Sequence, residues 1–232
     1  MIGKNTVRAS GQVTKERYVE AFENGGSIRV LFVGNSITRH EPKPEIGWNN
    51  DWGMAASSKD KDYVHVAVKM LEDAYGKIDY CITNCGEWEI NYFQSGLICE
   101  WQRARDFNAD IIFVRIGENV WNAKDKLDQF AFAPRLAEMI RYFAVRQNVK
   151  VVLSGLFWDM PEIEQSIKQV AFENGFDFVE LKDLGEDSRY MAIGQYWHSG
   201  VSIHPNDLGM LKIAERMVSS LRLSTQNNKG QI

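Results

Sequence analysis

Five short apolar runs, separated by helical patterns and long loops, constrain the fold of this chain more than any other feature. They cover residues 29–34, 77–83, 111–116, 149–154 and 176–180. Strands that are apolar along most of their length are typical of a parallel sheet with helices on both faces. We therefore predict an α/β fold: a doubly wound, flavodoxin-like parallel sheet of about five strands.

Helical periodicity between and after these runs supports the same fold. Residues 60–76 and 161–174 each place apolar side chains on one helical face, and each pattern is followed or ended by a glycine. The clearest pattern covers 205–221, where apolar residues recur at helical spacing. We predict a single domain over 1–232, with an N-terminal extension or helix at 1–25 and a polar, frayed tail at 223–232.

Composition excludes several function classes. The 232 residues carry 27 Lys and Arg against 31 Asp and Glu, a net charge of −4, so no basic surface for nucleic acid or an anionic membrane is expected. No apolar stretch is long enough to span a membrane, and no signal peptide is evident. We expect a cytoplasmic protein, or a secreted one if a signal has been removed. Three cysteines are expected to be buried thiols: Cys81, Cys85 and Cys99.

Four short segments carry side chains suited to acyl transfer. "GNSIT" places Ser36 directly after the first apolar run, "TNCGEWE" places Gly86 after the second, and "VRIGENV" places Asn119 after the third. "VSIHPNDLGM" places His204 immediately before the last helix. A glycine lets backbone approach a substrate, an asparagine amide can donate to an oxyanion, and a histidine can act as a general base.

Each segment also has an ordinary structural interpretation. A serine after a strand can cap a helix, glycine and asparagine end many strands, and a single histidine is commonly structural. The "GxSxG" turn of α/β-hydrolases, the "GxGxxG" and Walker phosphate loops and the "HExxH" metal motif do not occur.

Taken together and in this order, the four segments resemble the SGNH hydrolases, also called GDSL-type esterases and lipases. The resemblance runs from about Arg29 to Leu221. It implies that Ser36 is the nucleophile and His204 the base, and that the Gly86 N–H and the Asn119 amide help to form the oxyanion hole. It implies no metal and no organic cofactor.

Three departures from the family pattern are visible. Asn35 replaces the Asp that usually precedes the nucleophile. Val120, which follows Asn119 in the third segment, replaces the Asp found there in the family. The serious departure is Val201, which stands where the aspartate of the catalytic triad is expected, three residues before His204. A triad that loses its aspartate can lose a factor on the order of 10⁴ in rate.

A different group must therefore orient His204, if the site is active. The alternatives are a backbone carbonyl, giving a Ser–His dyad, or another acid, either Glu118 or Glu87. Asp207 is a further acid nearby, but its position at the start of the last helix favours a role in capping that helix.

The tryptophans suggest the kind of substrate. Five of the seven lie close to the motif segments, Trp48 among them, and the other four are predicted to bind substrate: Trp52, Trp88, Trp121 and Trp197. Aromatic faces on a cleft suit sugar rings, although tryptophans also pack under loops. Because many members of the family deacetylate carbohydrates, we expect a serine esterase that removes small acyl groups from a carbohydrate. The substrate is then a small-molecule or carbohydrate ester.

Two alternatives remain at this point. Val201 fits a protein that kept the fold as a carbohydrate-binding module with weak or no turnover. A thioesterase or lysophospholipase would use the same nucleophile and base on a different acyl substrate. The sequence does not indicate the oligomeric state.

Overall fold

This computed structural model describes residues 19–227, which form a six-stranded sheet with helices on both faces. In chain order the strands are β1 (Val19–Phe22), β2 (Ile28–Gly34), β3 (Ile78–Asn84), β4 (Ile111–Arg115), β5 (Lys150–Ser154) and β6 (Asp177–Val179). Their order across the sheet is β1-β3-β2-β4-β5-β6.

The five predicted strands are all present, and they pair in parallel. Their order, 2-1-3-4-5 when only these five are counted, is that of the flavodoxin-like fold. The sixth strand was not predicted. Val19–Phe22 pairs antiparallel with β3 at the sheet edge, so this part of the predicted N-terminal extension is a strand and not a helix. Residues 1–18 lie outside the described part of the chain.

Eight α-helices are found in residues 19–227. They are α1 (Tyr63–Tyr75), α2 (Gly86–Ile90), α3 (Gln102–Asp106), α4 (Phe132–Phe143), α5 (Pro161–Asn174), α6 (Lys182–Gly185), α7 (Ser199–Ser202) and α8 (Asp207–Asn227). Short 3-10 helices cover Pro44–Ile46, Lys59–Lys61, Leu97–Trp101, Glu118–Lys126 and Ser188–Tyr190. Helix α5 has the predicted bounds, α4 was not predicted, and α8 continues past position 223 to Asn227. Residues 228–232 of the predicted tail lie outside the described part.

Side-chain alternation along β2 shows why the sheet is covered on both faces. Leu31 and Val33 lie in one buried cluster with α4 and α5, whereas Val30 and Phe32 lie in a second cluster with α1 and α8. All four side chains are fully buried. Successive side chains of a strand point to opposite faces, so a strand that is apolar at every position requires helices on both sides.

Part of the loop after β2 and two of the three cysteines are packed into the protein interior. The long loop after β2 folds over the buried Trp48, whose indole N–H donates to the carbonyl of His40 at 3.1 Å. Cys81 and Cys85 are buried as predicted, but Cys99 is exposed, in the 3-10 helix Leu97–Trp101. None of the helices within residues 19–227 is both long and apolar enough to cross a bilayer. Over the same residues, no group of three or more His, Cys, Asp or Glu side chains is arranged to hold a metal ion.

Candidate active site

Three neighbouring strand ends and the start of α8 bring the four predicted catalytic residues together. Ser36, Gly86 and Asn119 follow β2, β3 and β4, and β2 lies between the other two strands. His204 precedes α8 and reaches the same edge of the sheet. All four line one open cleft of about 740 Å³. A cleft at the carboxyl ends of parallel strands, where the strand order reverses, is the usual ligand site of this fold.

The turn that presents Ser36 depends on Gly34. The N–H groups of Thr38 and Arg39 donate to the Asn35 carbonyl at 2.9 and 3.0 Å, which closes the turn around the serine. A Cβ atom on Gly34 would stand only 1.7 Å from the Thr38 hydroxyl oxygen, so the turn excludes a side chain at that position. The segment Gly34–Arg39 is therefore a tight turn that projects Ser36 into the cleft.

Ser36 and His204 form a hydrogen-bonded pair. The Ser36 Oγ lies 2.9 Å from His204 Nε2, and His204 Nδ1 lies 2.7 Å from the Gly200 carbonyl oxygen. A carbonyl oxygen can only accept, so Nδ1 carries the ring proton and Nε2 presents its lone pair to the serine hydroxyl. This tautomer is the one a general base needs.

Burial keeps His204 in its neutral form. Desolvation lowers the pKa of His204 to about 3, with smaller lowering contributions from the charge of Arg115 and from His40. The hydrogen bond to the Gly200 carbonyl acts in the opposite direction. The imidazole is therefore unprotonated, and able to accept a proton, over most of the accessible pH range.

The group that orients His204 is thus a backbone carbonyl, one of the alternatives left open by the sequence. Val201 is fully buried in an apolar cluster that also contains Trp48 and Met54. Its side chain has no polar atom to offer the imidazole.

The other candidate acids make contacts elsewhere. Glu118 forms a buried ion pair with Arg115 and accepts from Asn35 at 2.7 Å, and Glu87 lines the cleft with an exposed side chain. Asp207 accepts from the Ser57 N–H and hydroxyl and from Lys61. The expected capping role belongs instead to Asn206, whose side-chain oxygen accepts from the Gly209 N–H.

The predicted oxyanion donors lie next to each other. A Cβ atom on Gly86 would be 3.4 Å from the Asn119 amide nitrogen, so the two groups share one wall of the cleft. The Gly86 N–H donates at 2.8 Å to the side-chain oxygen of Asn84, an acceptor that a bound oxyanion would have to displace or share. Among residues 19–227, the Ser36 N–H has no hydrogen-bond partner, so this donor is free.

A buried polar network lies behind these donors. Glu89 is fully buried and accepts from the Asn119 amide nitrogen at 2.5 Å, from Asn35 at 3.1 Å and from the Gly117 N–H at 2.5 Å. Burial, followed by the charge of the neighbouring Glu118, raises the pKa of Glu89. A role for Glu89 was not predicted from the sequence, although its position three residues after Gly86 in "GEWE" placed it within a motif segment.

The four tryptophans predicted to bind substrate do not line this cleft. Trp88 is only 3% exposed and packs against Phe132 in the core, so its prediction as a substrate contact is wrong. Trp52 packs in its own loop and donates to the Ala56 carbonyl. Trp121 is exposed and lines a separate cavity of about 400 Å³.

Other rings occupy the position expected for tryptophans. Trp197 is exposed beside His198, and it is the His198 side chain that lines the cleft. Trp158, which the sequence analysis did not place at the site, stacks edge-on to His204 with ring centroids 5.0 Å apart. Its position just after β5, at the carboxyl edge of the sheet, was the available signal.

Comparison with solved structures identifies the fold. Axe2, an acetylxylan esterase from Geobacillus stearothermophilus, superimposes with a TM-score of 0.53 at 18% identity, covering 86% of this chain and 96% of that one. Axe2 variants described as catalytic mutants, each with a serine, an aspartate or a histidine replaced by alanine, match with TM-scores of 0.51. A candidate GDSL-like lipase from Bacteroides ovatus matches with a TM-score of 0.52 at 17% identity, covering 86% and 98%.

This chain therefore has the SGNH-hydrolase fold that the motif segments implied. No protein-family model matches it, and no curated protein matches it in sequence.

Proposed function

We propose that this protein is a serine esterase that hydrolyses carboxylic esters through an acyl-enzyme on Ser36. The observation that carries the proposal is the 2.9 Å contact between Ser36 Oγ and His204 Nε2, with the ring held in the basic tautomer by the Gly200 carbonyl. Nucleophile, base and oxyanion donors then meet in one cleft, which is the arrangement acyl transfer requires.

The reaction follows from this geometry. His204 accepts the hydroxyl proton as Ser36 Oγ attacks the ester carbonyl, and the developing oxyanion lies against the Ser36 N–H, the Gly86 N–H and the Asn119 amide. His204 then gives its proton to the departing alcohol as the C–O bond breaks. In the second half, His204 takes a proton from water, the resulting hydroxide attacks the acyl-enzyme, and Ser36 recovers its proton as the acid leaves.

The turnover rate that we expect depends on the Gly200 carbonyl, which contacts His204 where a complete triad has a carboxylate. A carbonyl dipole fixes the tautomer, but it stabilises the transient imidazolium less than a full negative charge does. We therefore expect turnover that is real but slower than that of a complete triad, by up to the ~10⁴ that loss of the aspartate costs a triad enzyme.

For the substrate, we propose a small acyl group, acetyl first of all, on a carbohydrate. Apolar side chains in the cleft are few and include Ile46, Met54 and Ile90, which suits a short acyl chain. Polar side chains able to bind sugar hydroxyls line the same cleft: Lys43, Asn84, Glu87 and His198. The acetylxylan esterase with the same fold supports this choice of substrate class.

The test is hydrolysis of p-nitrophenyl esters, from acetate to octanoate, followed by acetylated xylo-oligosaccharides. We expect acetate to be preferred and turnover to fall to background in Ser36→Ala, while Ser166→Ala, a serine on α5, retains the wild-type rate. Equal rates for wild type and Ser36→Ala on every ester would refute the proposed activity.

Val201 favours one other function. A protein that binds acetylated glycans without turning them over needs no carboxylate behind His204, and the apolar cluster around Val201 supplies none. This alternative predicts that Ser36→Ala and wild type bind the same glycans equally, with no release of acetate from either.

A further inference from the structure

Glu89 is a fully buried carboxylate whose neighbours within hydrogen-bond distance are all N–H donors. Its Oε1 accepts from Gly117 N at 2.5 Å, from Asn35 Nδ2 at 3.1 Å and from Asn119 N at 3.4 Å. Its Oε2 accepts from Asn119 Nδ2 at 2.5 Å. A carboxyl group that was protonated here would find no acceptor for its proton among these contacts, so the geometry is built for the ionised form.

No ion pair with Glu89 occurs among residues 19–227. The nearest guanidinium, that of Arg115, donates to Glu118 and to the side-chain oxygen of Asn35. A buried carboxylate that is bound only by amide N–H groups lowers the stability of the fold, because no cation offsets the free-energy cost of its desolvation. Such a group needs a function that an apolar side chain could not serve.

The contact between Glu89 and Asn119 bears on the orientation of the Asn119 amide. An amide nitrogen has two N–H groups, and Glu89 Oε2 accepts one of them. This fixes which end of the Asn119 amide is nitrogen and leaves the second N–H for an acceptor in the cleft, which Asn119 lines. Without the carboxylate, the amide could rotate and present its oxygen to the oxyanion.

The Glu89 carboxylate also contacts the segment that carries the nucleophile Ser36. Asn35, the residue before Ser36, donates its amide to both Glu89 and Glu118 and accepts from Arg115. An aspartate at position 35 would add a third buried carboxylate beside these two. A neutral residue at position 35 is therefore compatible with the buried Glu89, which gives a structural reason for asparagine in place of the family aspartate.

We propose that Glu89 is a positioning residue of the ester hydrolysis, holding the Asn119 amide and the Gly117–Asn119 backbone in the orientation that receives the oxyanion. The inference rests on the proposed function, because the oxyanion belongs to that reaction. Glu89 acts through Asn119 and has no contact with the cleft of its own.

The first experiment is a double-mutant cycle of Glu89→Gln and Asn119→Ala. Glutamine has the same size as glutamate, but one of its two terminal groups is an NH₂ donor. If the NH₂ takes the place of Oε2, it meets the Asn119 amide donor, and if it takes the place of Oε1, it meets the Gly117 N–H donor. We expect Glu89→Gln to lower kcat by about 10²-fold with KM changed less than about threefold, as for loss of an oxyanion donor. In the Asn119→Ala background the same substitution should cost less than about threefold. Equal losses in both backgrounds would overturn the proposal.

A matched control separates positioning from folding. Glu164 is also a buried glutamate, paired with Lys168 on α5. Glu164→Gln should lower the midpoint of thermal unfolding without lowering kcat per folded molecule. If Glu164→Gln and Glu89→Gln lower kcat equally, Glu89 has only a structural role and the proposal fails.

A second measurement needs no activity and no variant of Glu89. The side-chain amide of Asn119 is followed by ¹⁵N NMR as pH is lowered, with Asn119→Ala used for assignment. The charged and titratable groups near Glu89 are Glu118, Arg115 and Cys85. Burial and the charge of Glu118 raise the pKa of Glu89 above the ordinary 4.5, against the lowering effect of the hydrogen bonds from Asn119, Gly117 and Asn35. We expect the Asn119 signal to titrate with a midpoint above 4.5.

The two measurements fail independently. An Asn119 amide signal that does not change at any pH at which the protein stays folded would contradict the contact between Glu89 and that amide, whatever the enzyme does. A titrating amide in a protein that hydrolyses no ester would refute the proposed function while leaving the contact between Glu89 and Asn119 established.

Discussion

His204 Nδ1 donates to the carbonyl oxygen of Gly200 at 2.7 Å, in the place where the SGNH pattern has an aspartate carboxylate. The bond closes within one turn of chain, from residue 200 to residue 204, so the segment that carries the base also orients it. A carbonyl raises the basicity of the ring far less than a carboxylate would, because it carries only a partial charge.

The pH dependence should reflect a base with a low pKa. His204 must be neutral to accept the serine proton, and burial lowers its pKa from 6.5 to about 3. Its neutral form therefore persists as pH falls through 6.5 and is lost only as pH approaches 3. Protonation of Glu89, whose pKa burial raises, should lower activity at higher pH by no more than the about 10²-fold expected for Glu89→Gln, and the remaining activity is lost only when His204 is protonated.

This is checked by measuring kcat/KM for p-nitrophenyl acetate at decreasing pH, with circular dichroism to confirm that the fold persists. We expect residual activity well above background at about pH 5. A limb that reaches background with a midpoint near 6.5 would show that the base is not the buried His204 described above.

Restoring the family aspartate at position 201 should not repair the site. Val201→Asp would place a carboxylate in the apolar cluster around Trp48 and Met54, while His204 Nδ1 already has a partner. We expect the free energy of unfolding to fall by several kcal/mol, on the order of 3, because the new charge has no partner. Val201→Ala, measured by the same denaturant unfolding, separates the loss of methyl groups from the added charge. A rise of about 10²-fold or more in kcat would show instead that the carboxylate reaches the imidazole.

The Asn119 amide should contribute to turnover and not to binding. Asn119→Ala is expected to lower kcat by about 10²–10³-fold, since one oxyanion donor is lost, with little change in KM. Asn122→Ala, an exposed asparagine on the same 3-10 segment, is the control and should retain the wild-type kcat. Steady-state kinetics on p-nitrophenyl acetate decide the matter. Equal kcat values for the two variants would remove Asn119 from the oxyanion hole.

The loss of stability on replacing a tryptophan should depend on how deeply its side chain is buried. Trp88→Ala removes a side chain that is 3% exposed and packs on Phe132, so we expect a loss of about 3–5 kcal/mol of stability. Trp121→Ala removes a side chain that is 59% exposed and should change stability by no more than about 0.5 kcal/mol. Urea unfolding monitored by circular dichroism gives both values. Comparable losses would contradict the placement of the two rings.

The parallel sheet could be predicted from the sequence because an apolar run such as that of β2 is fully buried only in a sheet that helices cover on both faces. The edge strand Val19–Phe22 could not. Its four residues, "VEAF", are compatible with helix or strand, and pairing with β3 decides between them. Helix α5 was predicted accurately because Pro161 and Gly175 mark its two ends.

The geometry of the candidate active site was predictable only where strand order and motif position determine it. The ends of β2, β3 and β4 had to bring Ser36, Gly86 and Asn119 together once the sheet was parallel. The Gly200 carbonyl could not be singled out, because every residue has one and only the local turn aims it at His204. Trp88 was misassigned because proximity to Gly86 in sequence says nothing about which face of α2 it occupies.

The central claim is that Ser36, activated by a carbonyl-held His204, forms a covalent acyl-enzyme. The most direct test is to treat the protein with an organophosphate ester, p-nitrophenyl diethyl phosphate, and to locate the adduct by peptide mass spectrometry. We predict a single diethylphosphoryl group on Ser36, much slower labelling in His204→Ala and none on the alanine of Ser36→Ala. A wild-type protein that remains unlabelled, or that is labelled at a different residue, would contradict this account.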